Sequence, residues 1–229
     1  MCYKFNVDKN YPKLKIFKNG KHTDFTGPYF VKSIVKYLKT KAGLFSKELN
    51  TIQEVKTFIN NEESSIIGFF SSINSSLATE FHNQTEFLSY RYRFAYTSNP
   101  DLIAKYNFTD SIVMFQSPVL LNKIESPTIT FEINKTMPAM RTIIEANYHG
   151  IVGYRLKENF HEFNNPLVIV YYDVDFIDNF DETHRVRNRI LKIAKKLKDE
   201  SLNITFAISN LKEFEFEVTR LDSNFISKS

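Results

Sequence analysis

The sequence has very little cysteine, since Cys2 is the only one among 229 residues. A single thiol excludes an internal disulfide framework, an internal redox pair and any metal site built from several cysteines. Thiol-disulfide exchange needs an attacking thiolate and a second thiol that resolves the mixed disulfide. We therefore predict no catalytic residue in this chain, and we expect Cys2 to be a free, partly exposed thiol.

Long apolar runs are also absent from the sequence. No run approaches the roughly 20 residues of a membrane span, and the N-terminal MCYKFNV lacks the apolar segment of a secretory signal. The net charge is only +4, which does not indicate nucleic-acid binding without a concentrated basic patch. We thus expect neither a membrane nor nucleic acid among the partners.

The sequence contains no pattern typical of a metal site or a hydrolase. Its histidines show no i,i+4 pairing and no nearby cysteine or carboxylate cluster at metal-ligand spacing, and there is no G-x-S-x-G motif. We predict no metal and no cofactor. Each of the five histidines is expected to be a surface or loop residue: His22, His82, His149, His161 and His184.

Core-forming residues are abundant. Hydrophobic residues make up 42% of the chain, with 22 Phe and 12 Tyr, enough for a packed domain plus further pieces. Five N-glycosylation sequons would suit a secretory protein, although a chain rich in Asn and Ser produces such triplets by chance. The sequons begin at Asn74, Asn83, Asn107, Asn134 and Asn203.

The residue patterns divide the chain into three α/β segments. Residues 11–26 alternate around an Asn19-Gly20 turn and predict a hairpin, and residues 28–41 predict a helix with one apolar stripe. From residue 42 to 148 the predicted order is β-α-β-α-β-α-β-β-α. It includes a Thr51–Glu54 capping box at the start of a helix in which Ile52, Val55, Phe58 and Ile59 are expected to face inward. It also includes the apolar run SSIIGFF, which is typical of a strand buried on both faces.

After Gly150 the α/β pattern begins again. LVIVYYDVDF predicts a buried strand, residues 182–199 an amphipathic helix, NITFAI a strand and LKEFEFEVTRL a helix. In the helix we expect Ile190, Ile193, Ala194 and Leu197 to face inward. Basic residues, including Arg187, are expected on the remaining faces, where they would be solvated or meet an acidic partner.

Several of these runs together resemble the protein disulfide isomerases. The runs are YPKLKIFKNG…GPYFVKSIVKYLKTKAG, SSIIGFF, YRFAYT, SIVMFQSPVLLNKIE, and LVIVYYDVDF followed by RNRILKIAKKL. The similarity covers nearly the whole chain and is strongest to the branch that partners calnexin and calreticulin. It implies a thioredoxin-like α/β fold with one complete unit flanked by two partial units.

The resemblance also implies a domain assignment. Residues 1–41 would be the end of a catalytic a domain, 42–148 a complete b domain, and 149–229 the start of a b′ domain. The Cys-x-x-Cys site of the a domain would then lie before residue 1. Tyr11 and Pro12 would form the cis-proline loop, in which the residue before the proline offers its backbone to the substrate.

The family resemblance implies a location and partners as well. It indicates the lumen of the endoplasmic reticulum, with unfolded or glycoprotein clients and lectin chaperones of the calnexin and calreticulin type. Two positions that are basic in lectin-binding members are Asn203 and Leu211 here. The chain by itself is expected to be a non-catalytic binding scaffold.

Asp173 and Asp175 indicate an alternative function, which is metal-dependent binding of a nucleotide sugar. Two carboxylates spaced by two at the end of a strand point to the same face, and such a pair can hold a divalent ion and a nucleotide-sugar diphosphate. The other interpretation is that these aspartates cap the loop before the helix. We favour capping, because no phosphate-binding glycine loop and no third ligand lie nearby in the sequence.

Overall fold

The computed structural model describes residues 13–18, 21–25, 29–42, 45–89, 91–131 and 137–226. The first element is the predicted hairpin, in which β1 (Lys15–Lys18) pairs antiparallel with β2 (Lys21–Asp24). The predicted turn at 19–20 lies outside the described residues. Helix α1 (Val31–Ala42) follows, and Phe25 packs edge-on against its Tyr37 with ring centroids 5.1 Å apart.

A five-stranded mixed sheet comes next, and the element order matches the predicted β-α-β-α-β-α-β-β-α. Its strands are β3 (Lys47–Glu48), β4 (Ser65–Phe69), β5 (Arg93–Thr97), β6 (Ser111–Phe115) and β7 (Thr128–Phe131). The spatial order is β3-β5-β4-β6-β7. Strand β4 runs parallel to β5 and antiparallel to β6. It is central and buried throughout, as the apolar run predicts.

Helices cover both faces of this sheet. Helices α3 (Ser76–Leu88) and α5 (Met137–Asn147) pack on one face, and α2 (Ile52–Ile59) and α4 (Pro100–Tyr106) on the other. The predicted capping box begins α2: the Glu54 amide donates to Thr51 Oγ1 at 3.2 Å, and the Thr51 amide donates to Glu54 Oε2 at 3.1 Å. Ile52 was expected to face inward, but it lies in the first turn and is 41% exposed.

The third group of strands forms a parallel sheet of the order β8-β10-β9. Its strands are β8 (Val152–Tyr154), β9 (Leu167–Tyr172) and β10 (Thr205–Asn210), with helices α6 (Phe180–Asp199) and α7 (Glu215–Ile226). The prediction that β9 is buried was wrong: it is an edge strand of the described sheet and half-buried along its length. Strand β8, which has only three residues, was not predicted.

Candidate binding cleft

A cleft of about 410 Å³ lies where three groups of elements meet. These groups are the hairpin with α1, the five-stranded sheet with its helices, and the three-stranded sheet with its helices. The hairpin and α1 contribute Phe25 and Tyr37, and the loops of the five-stranded sheet contribute Glu62, Tyr148 and residues near them. The third group supplies the opposite wall, including Tyr154, Leu156, Glu158, Phe176 and Ile177. The sequence did not reveal this cleft, because its lining comes from segments far apart in the chain.

Two buried serines fix the loops on the five-stranded side of the cleft. Ser64 Oγ donates to the Tyr148 carbonyl at 2.6 Å and accepts from the Ser117 amide at 3.2 Å. Ser117 Oγ in turn donates to the Glu62 carbonyl at 2.6 Å. Because these polar groups have partners, the loops can be buried without leaving unsatisfied hydrogen-bonding atoms.

A cluster of charges joins the two larger sheets at one side of the cleft. Glu162 lies 2.7 Å from His149 Nε2 and 3.7 Å from Arg91 Nε. Burial of Glu162 opposes its ionisation, but the hydrogen bond to His149 and the charges of His149 and Arg91 outweigh burial and lower its pKa. The His149 ring also stacks on Phe163, with centroids 4.8 Å apart. The His149 side chain therefore belongs to the junction between the two larger sheets.

The expectation that every histidine is a surface or loop residue was wrong for two of them. His82 and His184 lie within helices and are partly buried, and burial lowers the pKa of both. His149 lies in the turn after α5, as expected of a loop residue. His82 lies within α3, with its ring edge-on to Tyr96 at 4.8 Å. His22 and His161 are exposed, as predicted.

Arg187 was predicted on the outer, basic part of α6, and this was wrong. Its side chain is fully buried and pairs with Glu125 at 3.3 Å. Its guanidinium also donates to the carbonyls of Val152 (Nε, 3.0 Å) and Leu120 (Nη1, 2.9 Å). Burial lowers the pKa of this guanidinium, and the charge and hydrogen bond of Glu125 offset that lowering only in part.

The remaining residues of α6 divide into a packed and an exposed side. Ala194 is buried, and Ile190 and Leu197 pack partly against the core, as predicted. Ile193 does not face inward as expected, since it is 59% exposed. The signal for Arg187 was its place one helical turn before the buried Leu191 and one turn after the buried Thr183. The exposed basic residues of the helix are Arg185, Arg189, Lys192, Lys195, Lys196 and Lys198.

Of the two aspartates that follow β9, Asp175 holds the loop before α6. Asp175 Oδ1 accepts from the amides of Ile177 (2.8 Å) and Asp178 (2.9 Å). These two hydrogen bonds are the main reason why its pKa is lowered. Asp173 pairs with Lys212 Nζ at 3.1 Å. The favoured capping interpretation fits Asp175, whereas Asp173 contributes an ion pair.

Within the part of the chain that the structure describes, no group of three or more His, Cys, Asp or Glu side chains is arranged to hold a metal. The metal-dependent nucleotide-sugar alternative therefore has no support. None of the described helices is long and apolar enough to cross a membrane.

The turn from β4 into α3 contains serines. Ser71 donates through its amide and its hydroxyl to Asp110, at 2.9 and 2.8 Å. Ser75 caps α3 by accepting from the Ala78 amide at 3.1 Å. A hydroxyl cannot replace a thiol in disulfide exchange. The predicted substrate-binding residues Tyr11 and Pro12, and also Cys2, lie outside the described residues.

Sheets flanked by helices in this order define a thioredoxin-like class of protein, and a family model described as a thioredoxin-like domain matches residues 70–225. Protein disulfide-isomerase A3 from Gallus gallus is 32% identical over 95% of this chain. Protein disulfide-isomerase A4 from Rattus norvegicus is 28% identical over 96%. The chain belongs to the protein disulfide isomerase family.

The chain spans less than half the length of these relatives, covering 44% of the chicken protein and 35% of the rat protein. Among solved structures, the bb fragment of ERp72 matches 79% of this chain and 80% of its own, with a TM-score of 0.71 and 24% identity. Human ERp44 matches 96% of this chain and 56% of its own, with a TM-score of 0.56 and 18% identity. At these identities the structural matches establish the thioredoxin-like fold.

Proposed function

We propose that this chain is a non-catalytic scaffold of a protein disulfide isomerase that holds unfolded polypeptide clients. The observation that carries the proposal is the β4–α3 turn, where redox units of the family have their cysteine pair. Here Ser71 and Ser75 are engaged with Asp110 and with the end of α3. The fold is that of an isomerase domain, while the turn has no sulfur for thiol chemistry.

The proposal includes the domain assignment 1–41, 42–148 and 149–229 as parts of a, b and b′ domains. In this assignment Tyr11 and Pro12 belong to a substrate-binding loop of the first domain. Binding a client near redox centres raises the effective concentration of the client's thiols at those centres. A scaffold would thereby contribute to oxidative folding without a thiol pair of its own.

We further propose the lumen of the endoplasmic reticulum as the location, because the relatives are protein disulfide isomerases. Lectin chaperones of the calnexin and calreticulin type are proposed as partners besides unfolded clients. The exposed lysines of α6 support an acidic partner. Leu211 contributes no charge to such a surface, and Lys212 is engaged by Asp173.

Two measurements on the 229-residue chain test the scaffold. We expect the chain to bind a dye-labelled client protein that has been unfolded by reduction and alkylation, as measured by fluorescence anisotropy. The same client protein in its native, folded state should not bind. We also expect no reduction of insulin disulfides above the rate with buffer. Insulin reduction that persists after Cys2→Ser, or an absence of binding to the unfolded probe, would contradict the proposal.

A further inference from the structure

The five N-glycosylation sequons of the sequence differ in how the folded chain presents them. Transfer of a glycan requires the amide of the asparagine and the hydroxyl of the residue two positions later. In a folded protein an enzyme must reach both groups at once. Asn107 and Thr109 meet this condition, since both are exposed. Asn134 lies outside the described residues.

The loop between α4 and β6 presents Asn107 and Thr109 to the solvent. The ring of Phe108, which lies between them in sequence, packs against the core and contacts Phe69, with ring centroids 5.3 Å apart. The Asn107 amide donates to the Ala104 carbonyl at 3.3 Å. Within the part of the chain that the structure describes, the side chains of Asn107 and Thr109 make no hydrogen bond. A glycan on Asn107 would therefore disrupt no contact of the fold.

The backbone conformation of this loop accounts for the asparagine but not for the threonine. Asn107 ends α4 in the left-handed conformation, with φ of 55°, which asparagine adopts more readily than most residues. That conformation requires nothing of residue 109. A structural role for Asn107 therefore leaves the exposed hydroxyl of Thr109 unexplained, whereas a glycan acceptor site requires both.

The sequon at Asn83 lies inside α3 and provides a contrast. Asn83 is exposed, but Thr85 is only 1% exposed. The Thr85 hydroxyl donates to the His82 carbonyl at 2.9 Å. Residues two positions apart on a helix also do not face the same side. An enzyme that acts on the folded chain cannot reach the Asn83 amide and the Thr85 hydroxyl together.

The sequons at Asn74 and Asn203 run into regular elements. Ser76 is the first residue of α3, and Thr205 is the first residue of the central strand β10. The Thr205 amide donates to the Pro166 carbonyl at 2.9 Å, which holds this residue in the sheet. Among the described sequons, the one at Asn107 is the one whose last two residues both lie in a loop.

We propose that Asn107 is an N-glycosylation site, and that its substrate is an oligosaccharide linked to a polyprenyl diphosphate. The Nδ2 atom of Asn107 attacks the anomeric carbon of the first sugar and forms the N-glycosidic bond. The bond from that carbon to the diphosphate oxygen breaks, and the polyprenyl diphosphate leaves with the electron pair. The amide proton passes to a base of the transferase.

This inference rests on the proposed location in the endoplasmic reticulum, and it agrees with the proposed non-catalytic role. Asn107 lies three residues before Asp110, which accepts hydrogen bonds from Ser71 in the β4–α3 turn. A glycan on Asn107 would stand beside the turn that holds the cysteine pair in redox units of the family. There it would obstruct a client disulfide, whereas a turn built from serines has no such activity to lose.

Modification of the purified, folded 229-residue chain tests the inference. The reaction contains a single-subunit oligosaccharyltransferase and the lipid-linked oligosaccharide, so its result does not depend on where the chain resides in a cell. Three substitutions leave only the sequons at Asn107 and Asn83: Asn74→Gln, Asn134→Gln and Asn203→Gln. Two synthetic peptides, covering residues 104–112 and 80–88, show how well each motif accepts a glycan outside the fold.

We expect both peptides to be modified, and the folded chain to gain one glycan, at Asn107. The glycan appears as one step in gel mobility that an endoglycosidase reverses, and peptide mass spectrometry locates it. Asn107→Gln and Thr109→Ala should each abolish the step, and Thr109→Ser should retain it. Asn83→Gln is the matched control and should leave the step unchanged. Circular dichroism confirms that each variant is folded.

The inference is overturned if the folded chain stays unmodified at Asn107, whether or not the peptide containing Asn107 is modified. Equal modification of Asn83 and Asn107 in the folded chain would also overturn it, because burial of Thr85 would then make no difference. Client binding by the unmodified chain is measured separately with the unfolded probe. The scaffold proposal and this inference can therefore fail independently of each other.

Discussion

Arg187 illustrates how the environment of one residue is determined by distant parts of the chain. Within RVRNRI it resembles its exposed neighbours Arg185 and Arg189, and arginines are seldom fully buried. Its partners are Glu125 and the carbonyls of Leu120 and Val152, between 35 and 67 residues away. The local sequence shows the period of the helix, but it contains none of these partners. The prediction for Arg187 failed for this reason.

Arg187→Ala should destabilise the protein strongly. The substitution leaves the Glu125 carboxylate, which is 4% exposed, without its positive partner, and breaking a buried ion pair typically costs about 3–5 kcal/mol. Urea unfolding followed by circular dichroism measures the change. The matched control Arg189→Ala, on the exposed side of the same helix, should change stability by no more than about 0.5 kcal/mol. Equal effects of the two substitutions would refute the role assigned to Arg187.

Glu162 should make stability depend on acid pH. Its pKa in the folded protein is lowered, so its ionised form contributes stability that is fully present above the unfolded pKa of about 4.5. This contribution is lost as the pH falls through the lower, folded pKa. At pH 7 we expect Glu162→Gln to be less stable than the parent protein by about 1.5–3 kcal/mol.

Urea unfolding of both proteins over a series of pH values measures this difference. The difference in free energy of unfolding between Glu162→Gln and the parent protein should narrow as the pH is lowered below about 4.5. Glu86→Gln, at an exposed site, should show no such gap. A difference between Glu162→Gln and the parent that stays constant down to the lowest pH would mean that the stabilisation does not depend on the charge of Glu162.

At the scale of elements, local signals predicted the helices better than the strands. Helix α2 was predicted from the capping box and apolar spacing, both of which depend on residues within a few positions of one another. Whether a strand is central or at an edge depends on which other strands pair with it. The apolar run of β9 therefore looked buried, and β8 was too short to give a periodic signal.

The capping box offers a test at this scale. Thr51→Ala removes the side-chain acceptor of the Glu54 amide and should lower the free energy of unfolding by about 1 kcal/mol. Thr57→Ala is the control, because it makes the same change at an exposed position inside α2, where alanine is the better helix former. Thermal or urea unfolding should show a loss of stability for Thr51→Ala and none for Thr57→Ala. A similar loss for both would indicate that the cap contributes nothing beyond helix propensity.

At the scale of the whole molecule, the resemblance identified the family and the α/β fold but not the junction between the sheets. The cleft is lined by residues from 25 to 177, and the ion pair between Arg187 and Glu125 joins α6 to a loop of the five-stranded sheet. No short window of sequence contains both sides of either feature. A binding surface at such a junction becomes visible only when the segments are folded together.

Limited proteolysis tests how firmly the three groups of elements are attached. The hairpin is a two-stranded sheet of its own, and such a sheet is marginally stable by itself. Helix α1 also leaves Val31, Val35 and Leu38 exposed. In contrast, the five-stranded sheet is covered by helices on both faces. We therefore expect the first tryptic cuts before residue 45 and the longest survival for residues 42–148.

The attachment of the third group should depend on its buried ion pair. In Arg187→Ala, cleavage after residue 148 should become faster, because opening of the junction exposes the backbone there, while cuts before residue 45 should keep their rate. Arg189→Ala, which also removes one trypsin site, should leave the rate of cleavage after residue 148 unchanged. Mass spectrometry of timed digests identifies each fragment. Early cuts between residues 45 and 148, with the hairpin still intact, would contradict this order of stability.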